Sequence, residues 1–219
     1  MKIINFSETN SVMNQYLAEI RDSDYQQNRL LFRNNITRIG EMEAFEISKT
    51  MEYVARDVQT PLGVARMNVP ADKVVLATIF RAGLPFHQGF LDIFDQAGNA
   101  FLSAYRYYTD RECNNIDVHI EYIATPDLYK KTFILVDPML ATGESIILAH
   151  KAFVTKGVPK KIILASVIAT EEGVARLNEK FPNTNIVLYT AAIDPILNDR
   201  KYIVPGLGDA GDLMYGEKL

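Results

Sequence analysis

The sequence predicts an α/β fold, a parallel sheet with helices on both faces, and three observations carry the prediction. From residue 73 onward, short apolar runs alternate with segments of helical character, the pattern of a sheet built by crossover connections. Those runs, 74–80, 100–105, 133–136, 162–169 and 186–189, are mostly apolar and free of charged residues, as strands buried on both faces are. Finally, Arg81, Arg106 and Asp137 each stand where a run ends. In such sheets ligands bind beyond the carboxyl ends of the strands, so all three residues are expected to face one crevice.

The elements follow in order. Residues 1–57 read as helical, with Ser11 and Asp24 as N-caps and an apolar stripe of Phe32, Ile36, Ile39, Met42 and Phe45 that suits a core or a subunit interface. Thr60-Pro61-Leu62-Gly63 has turn chemistry and closes a small hairpin between Val58 and Val69. After the strand 74–80 comes a helix over 84–96, with Pro85 tolerated in its first turn. The strand 100–105 ends in Arg106 and leads into a polar excursion, 107–131, whose V-H-I-E-Y alternation predicts a hairpin with one wet face. The strand 133–136 then breaks into a polar loop and re-enters a helix from Ser145, stopped by Gly157 and Pro159. A strand at 162–169, a helix at 171–181 and a strand at 186–189 complete the alternation, and a glycine-rich tail, 194–216, closes the chain.

The loop between 136 and 145 is the chemical centre of this pattern. It brings Asp137, Thr142, Gly143 and Ser145 to the start of a helix, where backbone N–H groups and the positive end of the helix dipole converge on one spot. That arrangement cradles a phosphate, while a carboxylate at the strand end can take sugar hydroxyls or a hydrated magnesium ion. Two arginines beside it suit a ligand with a second phosphate group, because each guanidinium can fork onto phosphate oxygens. The loop is not a P-loop, since Glu144 stands where a lysine would precede the hydroxyl. Gly206, Gly208 and Gly211 match G-x-G-x-x-G, but only eight residues follow, too few for a dinucleotide-binding unit. Their place beside Tyr202-Ile203-Val204 suggests instead a backbone that approaches a flat ligand.

Composition narrows the function classes. The chain has 219 residues, 48% of them hydrophobic, enough for one core and one domain. Its net charge of −4, with basic residues scattered, leaves no footprint for nucleic acid or an anionic membrane. Cys113 is the single cysteine, which excludes an internal disulfide and fits a reducing compartment. No apolar leader opens the sequence and no apolar run nears the roughly 18 residues of a membrane span, so a cytoplasmic protein is expected. His87, His119 and His150 are too far apart to form a metal set, and Cys113 lacks a local histidine that would make it a nucleophile.

These residues resemble the uracil phosphoribosyltransferases. V-D-P-M-L-A-T-G-E-S is similar to that family's phosphoribosyl diphosphate loop, Y-I-V-P-G-L-G-D-A-G-D to its uracil-binding tail, and I-F-R-A-G-L and A-Y-R to the segments bearing its two arginines. The match is close over 132–211, looser over 74–106 and thin before that, where L-A-E-I-R-D and F-R remain. The resemblance implies a type I phosphoribosyltransferase fold in a single domain: N-terminal helices and hairpin over 1–70, an α/β core over 71–193 and a base-binding tail over 194–219. It implies transfer of a phosphoribosyl group from 5-phosphoribosyl 1-diphosphate (PRPP) to uracil, giving UMP in pyrimidine salvage. By the same resemblance, Asp137, Pro138, Met139, Leu140, Ala141, Thr142, Gly143, Glu144 and Ser145 hold PRPP. Arg81 and Arg106 grip its diphosphate, and Asp209 lies close to the phosphoribosyl group. Ile203, Gly208, Asp209 and Ala210 hold uracil. Arg81, Arg106, Asp137 and Asp209 are the catalytic set this implies. Magnesium is expected to arrive with PRPP, with no metal site of the protein's own, and the chain is expected to form a homo-oligomer. Glu144 stands where the family has a second loop glycine, and Pro85-Phe86-His87-Gln88 and Tyr107-Tyr108 also depart from its pattern. The alternative is a nucleotide- or RNA-responsive regulator on the same scaffold, which a basic face would favour.

Overall fold

The computed structural model describes residues 1–108, 116–182 and 185–218, and for 104–108 and 116–119 the backbone alone. In chain order its elements are β1 (Lys2–Asn5), α1 (Met13–Arg21), α2 (Arg29–Ser48), β2 (Tyr53–Thr60), β3 (Gly63–Pro70), β4 (Val74–Phe80), α3 (Gly83–Ile93), β5 (Gly98–Tyr108), β6 (Ile116–Ala124), β7 (Thr132–Val136), β8 (Met139–Leu140), α4 (Glu144–Phe153), β9 (Lys161–Thr170), α5 (Glu171–Lys180), β10 (Ile186–Asp194), β11 (Ile196–Leu197), β12 (Ile203–Val204) and α6 (Ala210–Tyr215). The main sheet has the order β1-β10-β9-β7-β4-β5-β6, with β8 also pairing with β9. Its pairs are parallel except β5 with β6.

Alternation along the central strands divides the core in two. Leu76, Ile134, Val136, Ile163 and Ala165 face one side, packed with Phe32, Ile36, Ile39, Phe86 and Phe90 of α2 and α3. Val75, Ala77, Phe133, Leu135 and Leu164 face the other, packed with Ile146, Phe153 and Leu177 of α4 and α5. All five residues of β7 are buried, which explains its unbroken apolar run.

The N-terminal expectation needs correction. Residues 2–5 form a parallel edge strand on β10, and 53–57 belong to the β2–β3 hairpin. K-I-I-N is too short to show a period of its own. Asn28, not Asp24, caps α2, its side chain accepting from the Leu30 and Leu31 amides. The buried face of α2 runs Phe32, Ile36, Ile39, Glu43 and Ile47, a truer 3.6-residue period than the stripe read from sequence, so Phe45 is left exposed. Glu43 is fully buried without a hydrogen-bond partner among the described residues, and burial pushes its carboxyl well above the usual range.

The hairpin is longer than expected, eight residues a side, with register from Tyr53↔Pro70 to Thr60↔Gly63. Its base is tied to the sheet by Asp72, which takes the Glu52 amide, the Thr132 hydroxyl and the Lys160 ammonium. β5 does not end at Arg106 but continues to Tyr108. β10 likewise runs five residues past its predicted end, to Asp194.

Candidate active site

The strand order sets the position of the site. From β4 the chain passes through α3 to β5 on one side, and from β7 it passes through α4 to β9 on the other. Connections that leave neighbouring strands in opposite directions open a crevice beyond their carboxyl ends, a topological switch point. Arg81 and Asp137 are the first residues past β4 and β7, whose pairing ends at Thr78↔Val136. Both therefore enter the same crevice, as expected from sequence.

The loop 137–145 is held from outside by β9 and α5. The Asp137 amide donates to the Ala165 carbonyl (3.0 Å), and the Pro138 carbonyl accepts from Val167 and Ile168 (3.1 and 3.0 Å). β8 then pairs Met139 with Ile168 and Leu140 with Ala169. Thr170 donates its hydroxyl to the Ala141 carbonyl (2.6 Å) and accepts from the Gly173 amide (2.9 Å), so one buried side chain joins the loop to the start of α5. Gly143 adopts φ 77° as N-cap of α4, a conformation that favours glycine. As a glycine, this N-cap brings no side chain of its own to the first turn of α4. Its leading amides and the dipole behind them thus point into the crevice, the arrangement that binds an anion. Asp137 accepts from the Met139 amide (3.3 Å), and Thr142, nearly buried, lies 3.5 Å from the Glu144 amide.

The Glu144 carboxylate is drawn to α5, where it pairs with Arg176 at 2.9 Å in a half-exposed bridge. What the cradle receives from this residue is its amide.

The tail reaches the same crevice. Arg81 pairs with Asp212 (3.0 Å) and donates to the Gly216 carbonyl (3.4 Å). Asp209 caps α6 by accepting from the Asp212 amide (3.0 Å). Between them Gly211 is tight: a Cβ there would lie 3.2 Å from the Asp209 carboxylate and 3.8 Å from the Arg81 guanidinium. Thus Arg81, Asp209, Gly211 and Asp212 form one cluster at the end of β4. Ile203 and Ala210 are buried, and Gly208 is exposed with φ 94°.

Arg106 lies elsewhere along its strand than expected. Ser103 is the last β5 residue paired with β4, and Arg106 pairs with Val118 of β6. Three residues at about 3.3 Å each put its backbone about 10 Å out along a two-stranded arm. Its side chain, Cys113 and the His119 side chain lie outside the described residues. His87 is buried against Phe101 with Asn99 2.7 Å from its ring nitrogen, at the amino end of β5 and away from the crevice. His150 packs edge-on against Phe181. Burial holds both rings below the usual histidine range. Among the described residues no three His, Cys, Asp or Glu side chains gather as a metal set.

Residues that sequence reasoning passed over hold the tail in place. Arg21 at the end of α1 pairs with Asp194 at the end of β10 and donates to the Gly206 carbonyl. Gln26 donates to the Leu207 carbonyl (2.8 Å) and Arg33 to that of Met214 (2.7 Å). The surviving L-A-E-I-R-D and F-R fragments, which contain Arg21 and Arg33, were the available signal.

A hypoxanthine phosphoribosyltransferase from Staphylococcus aureus superposes with a TM-score of 0.50 at 11% identity, over 75% of this chain and 76% of that one. The fold is accordingly that of the type I phosphoribosyltransferases. A protein from Aquifex aeolicus superposes with a TM-score of 0.87 at 29% identity, over 99% of both chains. The uracil phosphoribosyltransferase family matches residues 7–217. The uracil phosphoribosyltransferase of Porphyromonas gingivalis is 55% identical over 219 residues, all of both chains, and that of Pyrococcus furiosus is 34% identical over 99% of this chain and 91% of its own. The chain belongs to the uracil phosphoribosyltransferase family and is an enzyme of that class.

Proposed function

We propose that the chain transfers the phosphoribosyl group of PRPP to N1 of uracil, releasing diphosphate and UMP, and that it acts in the cytoplasm in pyrimidine salvage. The observation that carries this reading is that Arg81, just past β4 and beside the strand that leads into the anion-binding loop, pairs with the glycine-rich tail. On this reading 137–145 hold the ribose and its 5′-phosphate, the Asp137 carboxylate taking ribose hydroxyls and the α4 amides taking the phosphate. Ile203, Gly208, Asp209 and Ala210 receive uracil. Arg81 and Arg106 hold the diphosphate, Arg106 from the β5–β6 arm.

Breaking the bond from C1′ to diphosphate leaves positive character on the ribose and a highly charged leaving group. Of the three loop positions where many phosphoribosyltransferases carry acids, Asp137 keeps one and Pro138 and Ala141 replace the other two, so positioning and electrostatics do most of the work. Magnesium bound by the diphosphate oxygens would neutralise the leaving group. The crevice carboxylates Asp137 and Asp209 are single acceptors, suited to reach such an ion through water and not to form a closed cage.

The chain acts as one unit, with 1–70, 71–193 and 194–219 as helices and hairpin, core and base-binding tail. Copies associate as a homo-oligomer, a reading supported by the β2–β3 hairpin. Tyr53, Val54, Val58, Val64 and Met67 are exposed on it, and an isolated two-stranded ribbon is marginal in water. The single cysteine supports the cytoplasm, and no described helix is long and apolar enough to cross a membrane. The regulator alternative would be favoured by a basic face, and the net charge of −4 counts against it.

The test is competition among equal uracil, cytosine and hypoxanthine for limiting PRPP with magnesium. Backbone groups in the tail cannot exchange donor for acceptor, and each unpaired buried group costs about 1–3 kcal/mol. Two mismatches should therefore exclude cytosine by roughly 10²- to 10⁴-fold. UMP is the expected product, and substantial CMP or IMP would overturn the base assignment.

A further inference from the structure

We infer that Arg21 and Asp194 are positioning residues for the base, acting through a single peptide turn, an inference that rests on reading 203–210 as the uracil site. Gly206 follows the cis Val204–Pro205 bond and adopts φ 57°. Its amide donates to Asp194 Oδ2 (2.8 Å), and its carbonyl accepts from Arg21 Nη1 (3.0 Å). Arg21 and Asp194 in turn form a two-pronged pair, 2.8 Å on each prong. Four bonds thus close a ring around one glycine and hold the peptide groups on both its sides.

Beside the clamp, Gln26 holds the next carbonyl, that of Leu207, at 2.8 Å. β12, just before the turn, is two residues long, and a glycine in the left-handed region can leave it at small expense. Gly206 lies between Ile203 and Gly208, so rotation of its flanking peptides would swing the backbone groups assigned to the base. The clamp is well placed to resist that rotation. The Asp194 side chain is only 7% exposed, where a charge-assisted pair keeps more of its strength than at an open surface. It lies on the tail side of the cluster, whereas the phosphate loop is held by Thr170 and β9. Arg21 and Asp194 should therefore govern uracil and leave PRPP alone.

The experiment measures KM for uracil, KM for PRPP and kcat in the wild type, Arg21→Ala, Arg21→Lys and Asp194→Asn, with thermal melting of each. Arg21→Ala should raise KM for uracil about tenfold, the loss of roughly 1.4 kcal/mol, while KM for PRPP stays within about twofold. Arg21→Lys should fall between, because a point cation cannot span both Asp194 oxygens and the Gly206 carbonyl. Asp194→Asn keeps an acceptor for the Gly206 amide and should also be milder than Arg21→Ala. If Arg21→Ala does not fold, the Lys and Asn variants must still show the uracil-only rise. An equal rise in both KM values, or no change in either, overturns the inference while leaving the base site standing. A wild type that turns over PRPP with another base but not uracil removes both.

Discussion

The loop 137–145 and the tail 203–216 serve one crevice but are held in different ways. The loop is fastened by its neighbours in the sheet: β9 takes its backbone through residue after residue, and Thr170 closes the last gap. The tail contains a two-residue strand and a six-residue helix, and side chains from the N-terminal helices fix its carbonyls. A phosphate cradle built into the sheet is a rigid, local device. On the proposed assignment, the base half of the site depends on the N-terminal helices being in place, so it can vary without disturbing the phosphate half.

The largest effect is expected where neither region suffices. Arg106→Ala removes a cation from the arm that would cover the leaving diphosphate, and turnover should fall about 10²-fold or more with the melting temperature unchanged. Full activity in that variant would remove the arm from the chemistry and leave the crevice to Arg81 alone.

A smaller effect tests the contrast directly. Thr170→Val keeps the shape of a buried side chain but strips the Ala141 carbonyl and the Gly173 amide of their partner. KM for PRPP should rise about tenfold with KM for uracil within about twofold, the mirror image of Arg21→Ala. If the two variants shift the two constants alike, the loop and tail are one mechanical unit and the comparison fails.

The smallest effect is expected at Glu144. Its carboxylate is engaged by Arg176 in a bridge about half exposed, the kind of pair worth at most about 1 kcal/mol. Glu144→Gly should therefore change KM for PRPP by less than about threefold. A large fall in that constant would mean that the carboxylate enters the cradle and opposes the phosphate.

How much was legible in advance follows from the range of each interaction. The alternation of buried strands and helices, the placing of Arg81 and Asp137 at strand ends, and the strand–loop–helix cradle rest on contacts within a few residues or on a repeating period, so the amino-acid sequence by itself determined them. Other features leave no local trace. A four-residue edge strand such as β1 is defined by its partner β10, the extension of β5 past Arg106 by β6, and the orientation of Glu144 by Arg176. The clamp on the tail joins Arg21 to Asp194 and Gly206 across 173 and 185 residues. An arginine that donates to a distant carbonyl has no period and no required spacing, so only the tertiary structure decided which arginine it would be.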